Sequence, residues 1–295
     1  MIRLEAYGSK ERMARAEAAL DRLEGVERVT SVDGSQPGHV VVGAVVSRQS
    51  VDRVVAEMRQ IGISDEDLTL TREERIGRFM PARSDAALVW EDVLGSARID
   101  ARPVFHYLAF MFVAGVIACY GVLDNNGILI VGAMAVSPDL LPITAIAVGV
   151  VGARIALASR ALLTLAFGLT TATVSATVFA FLQEALDLLP GGFDVDQTIL
   201  HSLTSVNDET IVVALFAGAA GMLALESRAS SAVGVAISVT TIPAAAYLGV
   251  VLGLGDLSKA GGAIAVLATN VVMMVIGASV TLFVQRLVAS RDPAA

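Results

Sequence analysis

The sequence predicts an α-helical polytopic membrane protein, with six transmembrane helices arranged as a 3+3 inverted repeat. An N-terminal α+β ferredoxin-like (βαββαβ) soluble domain precedes them. Three observations predict this class. The first is composition: 55% of the 295 residues are hydrophobic, 17% are charged, and mean hydropathy is +0.70. Ordinary soluble domains run nearer 45–50% apolar and ~25% charged. The second is where the charge lies. Residues 1–103 hold 18 acidic and 15 basic side chains, whereas residues 104–295 hold only 11 and 6. Two regions therefore face different solvents. The third is a similarity between two successive apolar segments of three spans each.

Residues 1–72 carry the soluble pattern. Ile2 to Tyr7 alternates apolar and polar side chains, as a half-buried strand does. Ser9 is placed to cap a helix whose inward face is Met13, Ala16, Leu20 and Leu23, with Gly25 at its end. Val26 to Val32 alternates again, Asp33 to Gly38 is turn chemistry, and His39 to Val46 is apolar enough to be a central strand. Ser50 opens a second helix with Val51, Val54, Val55, Met58 and Ile61 inward, and Asp67 to Thr71 is a short last strand. This order gives the ferredoxin-like expectation. It suits a regulatory or ligand-sensing module and equally a passive oligomerisation domain. His39 stands alone at a strand start and reads as structural.

Residues 73–103 form a connector with an amphipathic helix over Ser84 to Ile99. Leu88, Val89, Trp90, Val93 and Leu94 share one side of it. Trp90 with Arg98 and Arg102 fits a helix at a membrane surface; packing on the soluble domain is the other option.

The membrane domain covers residues 104–287, with repeats at about 104–184 and 207–287, and residues 288–295 form a cytoplasmic tail. A crossing helix needs about 20 apolar residues. The stretches that supply them are Val104–Leu123, Gly127–Val151, Ala161–Leu182, Thr210–Leu225, Ser231–Leu254 and Gly261–Val284. Arginine placement sets the orientation. With the N-terminus inside, the inner segments carry Arg98, Arg102, Arg154, Arg160, Arg228, Arg286 and Arg291, and the outer ones only Lys259. The acidic loop with Glu184, Asp187, Asp194, Asp196, Asp208 and Glu209 falls outside. Both termini are then cytoplasmic. Met1 to Glu5 lacks the basic-then-apolar order of a signal peptide, in agreement. A bacterial cytoplasmic (inner) membrane is the expected location.

The repeat is read from glycines and prolines. Gly115 leads to Gly132 in Ile130 to Pro138, and Gly218 leads to Gly234 in Ala232 to Thr240. Both segments then meet proline, at Pro138 and Pro142 in the first half and Pro243 in the second. Three spans per half force opposite insertion, and interrupted helices in matching positions point to a transport site at the repeat interface. Pro138 and Pro142 each remove a donor, so the second span should break there. Asp139 sits in that break. A charge at mid-membrane costs ~2.5–3.5 kcal/mol or more and faces the bundle interior or water. Its repeat counterpart is Thr241.

The candidate solute- or ion-binding set is therefore Ser137, Pro138, Asp139, Thr240, Thr241, Pro243 and Asn270. Asp139 has a structural alternative as the cap of its own half-helix, and Asn270 one as an interhelical clasp. A fixed negative charge favours a cation- or proton-linked role, whereas exposed half-helix N-termini favour anions. The threonines of the third span, with Gly218, Gly221, Gly249 and Gly253, read as close helix packing.

Several classes are excluded. A net charge of −8 without a basic cluster gives no nucleic-acid footprint. The single Cys119 allows neither an intrachain disulfide nor a multi-cysteine metal site, and reads as a small buried thiol. No nucleophile–base pair or paired carboxylate suggests an enzyme, and no cofactor is expected. The expected partners are the lipid bilayer, an unidentified small solute or ion, and further copies of the chain in a homo-oligomer.

At these motifs the chain resembles a bacterial and archaeal hydrophobic-domain family, catalogued as domain of unknown function number 389. The residues that carry the resemblance are Gly132 to Pro138, Ala217 to Gly221, Ser231 to Ile237 with Pro243, and Ala268-Thr269-Asn270. It spans roughly 104–287. The resemblance implies a multi-pass membrane protein, often with a soluble N-terminal domain, and transfers no catalytic residue. The family pattern has an apolar residue after Ser-Pro, and Asp139 departs from it.

The reading is a transporter or channel with a midplane site and a regulatory N-terminal domain. Its rival is a membrane-anchored sensor or scaffold whose spans anchor and oligomerise a ligand-binding domain. A water-accessible cavity at Asp139 and Thr241 would favour the first. A dry core there, with a ligand pocket in residues 1–72, would favour the second.

Overall fold

A computed structural model describes residues 1–47, 50–72, 90–102, 104–190, 205–227 and 241–291. The chain is mostly helical, with one small N-terminal sheet. It divides into two compact units, Met1–Leu94 with Arg286–Ala295, and Gly95–Gln285.

The first unit follows the alternation read from the sequence. Its strands are β1 (Ile2–Ser9), β2 (Val26–Asp33), β3 (His39–Val46) and β4 (Leu68–Arg72), with helices α1 (Lys10–Leu20) and α2 (Val51–Gln60) between them. The sheet order is β2-β3-β1-β4, all antiparallel, with β3 and β1 central. Ile2, Leu4 and Ala6 of β1 and Val40, Val42, Ala44 and Val46 of β3 point to one face. Met13, Ala16 and Leu20 of α1 and Val51, Val54, Val55 and Met58 of α2 cover that face. Burying each larger side chain contributes about 1.5–3 kcal/mol. Ser9 and Ser50 occupy the N-cap positions, but neither side chain caps its helix. Ser50 Oγ instead receives the Ser47 hydroxyl at 3.0 Å. Gly25 has φ +80°, and a Cβ there would press on Ser47 and Ser50, so the turn into β2 requires glycine.

The connector helix α3 is described over Trp90–Asp100, with Val93 and Leu94 buried. The expected start at Ser84, with Leu88 and Val89, lies outside the described residues. Trp90 N–H donates to Asp52 Oδ2 at 3.2 Å, and the Arg286 guanidinium lies 4.3 Å from the Trp90 ring centroid. The first residue of α3 is therefore tied to Asp52 of α2.

The second unit holds α4 (Phe105–Leu123), α5 (Gly127–Val136), α6 (Leu140–Val151), α7 (Ile155–Ala185), α8 (Asp208–Ser227), α9 (Thr241–Gly253) and α10 (Ala260–Arg291). Four described helices are long and apolar enough to cross a membrane: α4, α7, α8 and α10. The α5–α6 pair, bent by 55° at its break, makes a fifth if it is one span. The first part of the expected fifth stretch, 231–240, lies outside the described residues, which leaves the 13-residue apolar α9. With 31 and 32 residues, α7 and α10 are longer than expected. At 1.5 Å per residue they reach roughly 46–48 Å, beyond a ~30 Å hydrocarbon core.

Local chemistry explains the ends. Asn126 Oδ1 accepts from the N–H groups of Ile128 and Leu129 and so caps α5. Asn207 Oδ1 accepts from Thr210 N–H at 2.8 Å and caps α8.

Close contacts give helix directions. Along α4, Tyr107 meets Gly168 of α7, Gly115 meets Ala172 and Ser175, and the Cys119 thiol donates to the Ala176 carbonyl. Along α9, Gly249 meets Thr173 and Ala176, and Gly253 meets Thr177 and Ala180. Residue numbers rise together, so α4, α7 and α9 run in the same direction. The chain must therefore return from the end of α4 to the start of α7, and the α5–α6 pair makes that return. Helices distant in sequence also meet: α9 packs on α7, α4 and α5, and α6 touches α8.

Candidate functional site

The apolar stretch 127–151 breaks where its prolines require. α5 ends at Val136 and α6 begins at Leu140, leaving Ser137, Pro138 and Asp139 between them. Ser137 N–H still reaches the Ala133 carbonyl at 3.1 Å. Pro138 has no N–H to continue the ladder, so α5 stops. Leu141 N–H closes a tight turn on the Pro138 carbonyl at 3.2 Å, and Pro142 is fully committed to the first turn of α6.

Asp139 occupies the N-cap position of α6 with φ −65° and ψ −20°, a helical conformation, and its side chain makes no capping hydrogen bond. The capping alternative raised by the sequence does not hold. The carboxylate turns to the other half of the chain instead: Asp139 Oδ2 accepts a short hydrogen bond from Thr241 Oγ1, the first residue of α9. Both residues are 0% exposed. They are 102 positions apart, the same offset that separates Gly132 from Gly234 in the similar segments of the sequence.

Other predicted residues are placed as follows. Ser137 is half-buried, and its hydroxyl points to Met111 Sδ of α4 at 3.4 Å. Pro138 is half-buried in the break, and Pro243 is buried in the first turn of α9. Asn270 is buried on α10, one turn before Met274. Thr240 lies outside the described residues. The structure thus joins Asp139 to Thr241 and places Ser137 beside them along the chain.

Sequence reasoning passed over Tyr107, because a single aromatic at the start of a span reads as an interfacial residue. The structure places it differently. Met111 and Tyr107 lie one turn apart on the buried stripe of α4. The break runs along that stripe: Ser137 faces Met111, one turn from Tyr107. A Cβ at residue 168 would overlap the Tyr107 hydroxyl, so Gly168 of α7 makes the room. The detectable signal was an i, i+4 pair, Tyr107 and Met111, continuing to Gly115 on one face of α4.

The packing glycines behave as read. A Cβ on Gly115 would overlap Ala172 and Ser175 of α7, and one on Gly218 would overlap the Met274 backbone of α10. Gly115 thus packs on α7 and Gly218 on α10. The buried threonines hold backbone carbonyls: Thr164 Oγ1 donates to Ala101 O, and Thr144 Oγ1 to Leu141 O, each at 2.9 Å. Cys119 is a buried free thiol.

Comparisons with known proteins agree with the motifs. The chain is 25% identical over 197 residues to an uncharacterized protein of Methanocaldococcus jannaschii. The match covers 65% of this chain and 58% of that relative, so less than two thirds of the relative's length is spanned. No solved structure matches. The resemblance read from Gly132 to Pro138, Ala217 to Gly221 and Asn270 is borne out: residues 134–276 match the family described as Domain of unknown function (DUF389).

Proposed function

We propose that the chain is an integral membrane transporter or channel for a small solute or ion. Its site lies at the break between α5 and α6, and the N-terminal domain regulates it. It crosses the cytoplasmic membrane six times as two inverted halves, with both termini in the cytoplasm.

One observation carries this reading. Asp139 and Thr241, paired by the sequence repeat, are hydrogen-bonded and fully buried. In an inverted repeat, equivalent residues near the pseudo-two-fold axis meet each other, and broken helices at that axis form transport sites. A carboxylate kept in the membrane interior without serving its own helix is otherwise a net cost. The shared direction of α4, α7 and α9 fits the scheme, because odd-numbered spans of a six-crossing chain run alike. The matched seats of Gly115 and Gly218 fit it too.

The complete burial of the pair corresponds to an occluded state, which opens when the halves move apart. The same dryness favours the second reading, a membrane-anchored sensor or scaffold. Flux separates them. Purified protein in liposomes should move at least one ion or metabolite from a broad panel, and Asp139→Asn should reduce that flux at least tenfold. Stable, correctly inserted protein that moves nothing in the panel leaves the sensor reading standing.

A further inference from the structure

The transport reading leaves Tyr107 unused. Its side chain is 8% exposed, and among the described residues its hydroxyl has no hydrogen-bond partner. A buried tyrosine hydroxyl ordinarily finds a partner, and an unmet one calls for a ligand, ion or water. Phenylalanine would fill the same space without that cost.

We propose that the break binds a small monovalent cation, held by the Asp139 carboxylate and the hydroxyls of Thr241 and Tyr107. The inference rests on the reading of Asp139 as the functional residue and names the class of its ligand. Every group it uses is an oxygen, the donor that small hard cations take. The field at the break has the matching sign. α5 ends there, so its last carbonyls lack intrahelical donors and carry the negative end of the helix dipole. Pro138 cannot supply the N–H that would have taken up the Met134 carbonyl. Carbonyls at the C-terminal ends of broken half-helices are where membrane transporters hold cations. The opposite pull, from the N-terminus of α6, amounts to about half a positive charge and is outweighed by the full negative charge of Asp139. The sign that the sequence left open therefore resolves towards a cation. One carboxylate matches one positive charge. Among the described residues no group of three His, Cys, Asp or Glu offers a divalent ion more.

The test reads binding rather than transport. Full-length protein in detergent is melted in increasing sodium, potassium or lithium chloride, each against equal choline chloride at constant pH. The expected result is a saturable rise in melting temperature with at least one alkali cation. Tyr107→Phe should raise the half-saturating concentration about tenfold, the loss of one ligand contact, while melting in choline stays at or above wild type. Asp139→Asn should abolish the response. If Asp139→Asn does not fold, Tyr107→Phe decides alone. Melting that no alkali cation shifts beyond choline, or a Tyr107→Phe variant that responds like wild type, overturns the cation site. The transport reading is judged separately: binding without flux defeats transport only, and flux without binding defeats the cation site only.

Discussion

The two units bury opposite kinds of residue. In the N-terminal unit the interior is Leu4, Met13, Leu20, Val54 and Met58, and charge lies outward, as in the exposed Arg59–Asp65 pair at 2.7 Å. In the second unit Phe112, Phe167, Phe181, Phe216 and Phe283 are each more than half exposed. Buried there are Ala114, Ala118, Ala172 and Ala176, together with Asp139 and Thr241. The difference is the solvent. In water, burying a large apolar side chain drives folding. In lipid, tails are as apolar as leucine, so that drive disappears and close approach of small residues takes over. It also leaves polar contacts inside as a way to join helices.

The largest expected effect attacks that close approach. At Gly218 a Cβ would overlap the carbonyl of Met274, a backbone atom that cannot turn aside. Gly218→Leu should cost about 3 kcal/mol or more, enough to abolish recovery of folded protein. Gly132 is the control, because nothing lies within 4 Å of the Cβ it lacks. Gly132→Leu should be recovered like wild type, read as the monodisperse fraction in size-exclusion chromatography. Equal tolerance at both positions would break the small-residue account.

A second pair sharpens the comparison across the units. Leu4→Ala opens a cavity in the water-facing core and should cost 2–5 kcal/mol. Phe167→Ala removes more atoms from a side chain that is 59% exposed. It should change thermal stability in detergent by roughly 0.5 kcal/mol or less. A larger loss at Phe167 than at Leu4 would mean that α7 presents this face to protein rather than lipid.

Legibility in the sequence followed the same division. Alternation placed β1 and β2, and a continuous apolar run placed the central β3, each within two residues of its observed ends, because water on one side and core on the other write a pattern into β1 and burial writes a run into β3. In the membrane unit, Pro138 and Pro142 located the break because covalent chemistry, not context, forbids the helix there. Gly115 and Gly218 were legible as packing residues for a similar reason. The Asp139–Thr241 bond was legible only as a repeat correspondence, since no local signal says which side chains meet across 102 residues. Tyr107 was legible only as one member of the Tyr107, Met111 and Gly115 face of α4, not as a polar group of the site. Its meaning depends on Gly168, sixty-one positions away and on another helix. The caps failed in an instructive way: Ser9, Ser50 and Asp139 all hold cap positions, yet none uses its side chain as a cap. Each sequence position was right; Ser50 meets its neighbour Ser47 instead, and Asp139 meets Thr241 of a distant helix.

The smallest expected effect lies at the entrance to the second unit. Asp100 ends α3, next to Ala101, whose carbonyl accepts the Thr164 hydroxyl of α7. Burial raises the Asp100 carboxyl from the usual 3.8 to about 6. A carboxyl with a raised value holds its proton more tightly folded than unfolded. Its favourable contribution is therefore complete below pH 3.8, declines as pH rises, and is gone above about 6. Asp100→Asn removes the titrating group but keeps the shape. The wild-type melting temperature should fall relative to Asp100→Asn between pH 4 and 6, and the difference should stay constant from pH 6.5 to 8, about 0.5 to 2 units above that value. The shift should be small, because the half-buried side chain retains screening water. A difference that does not vary with pH would show that Asp100 is as wet in the folded chain as in the unfolded one. The junction between the water-facing unit and the lipid-facing one would then belong, energetically, to the first.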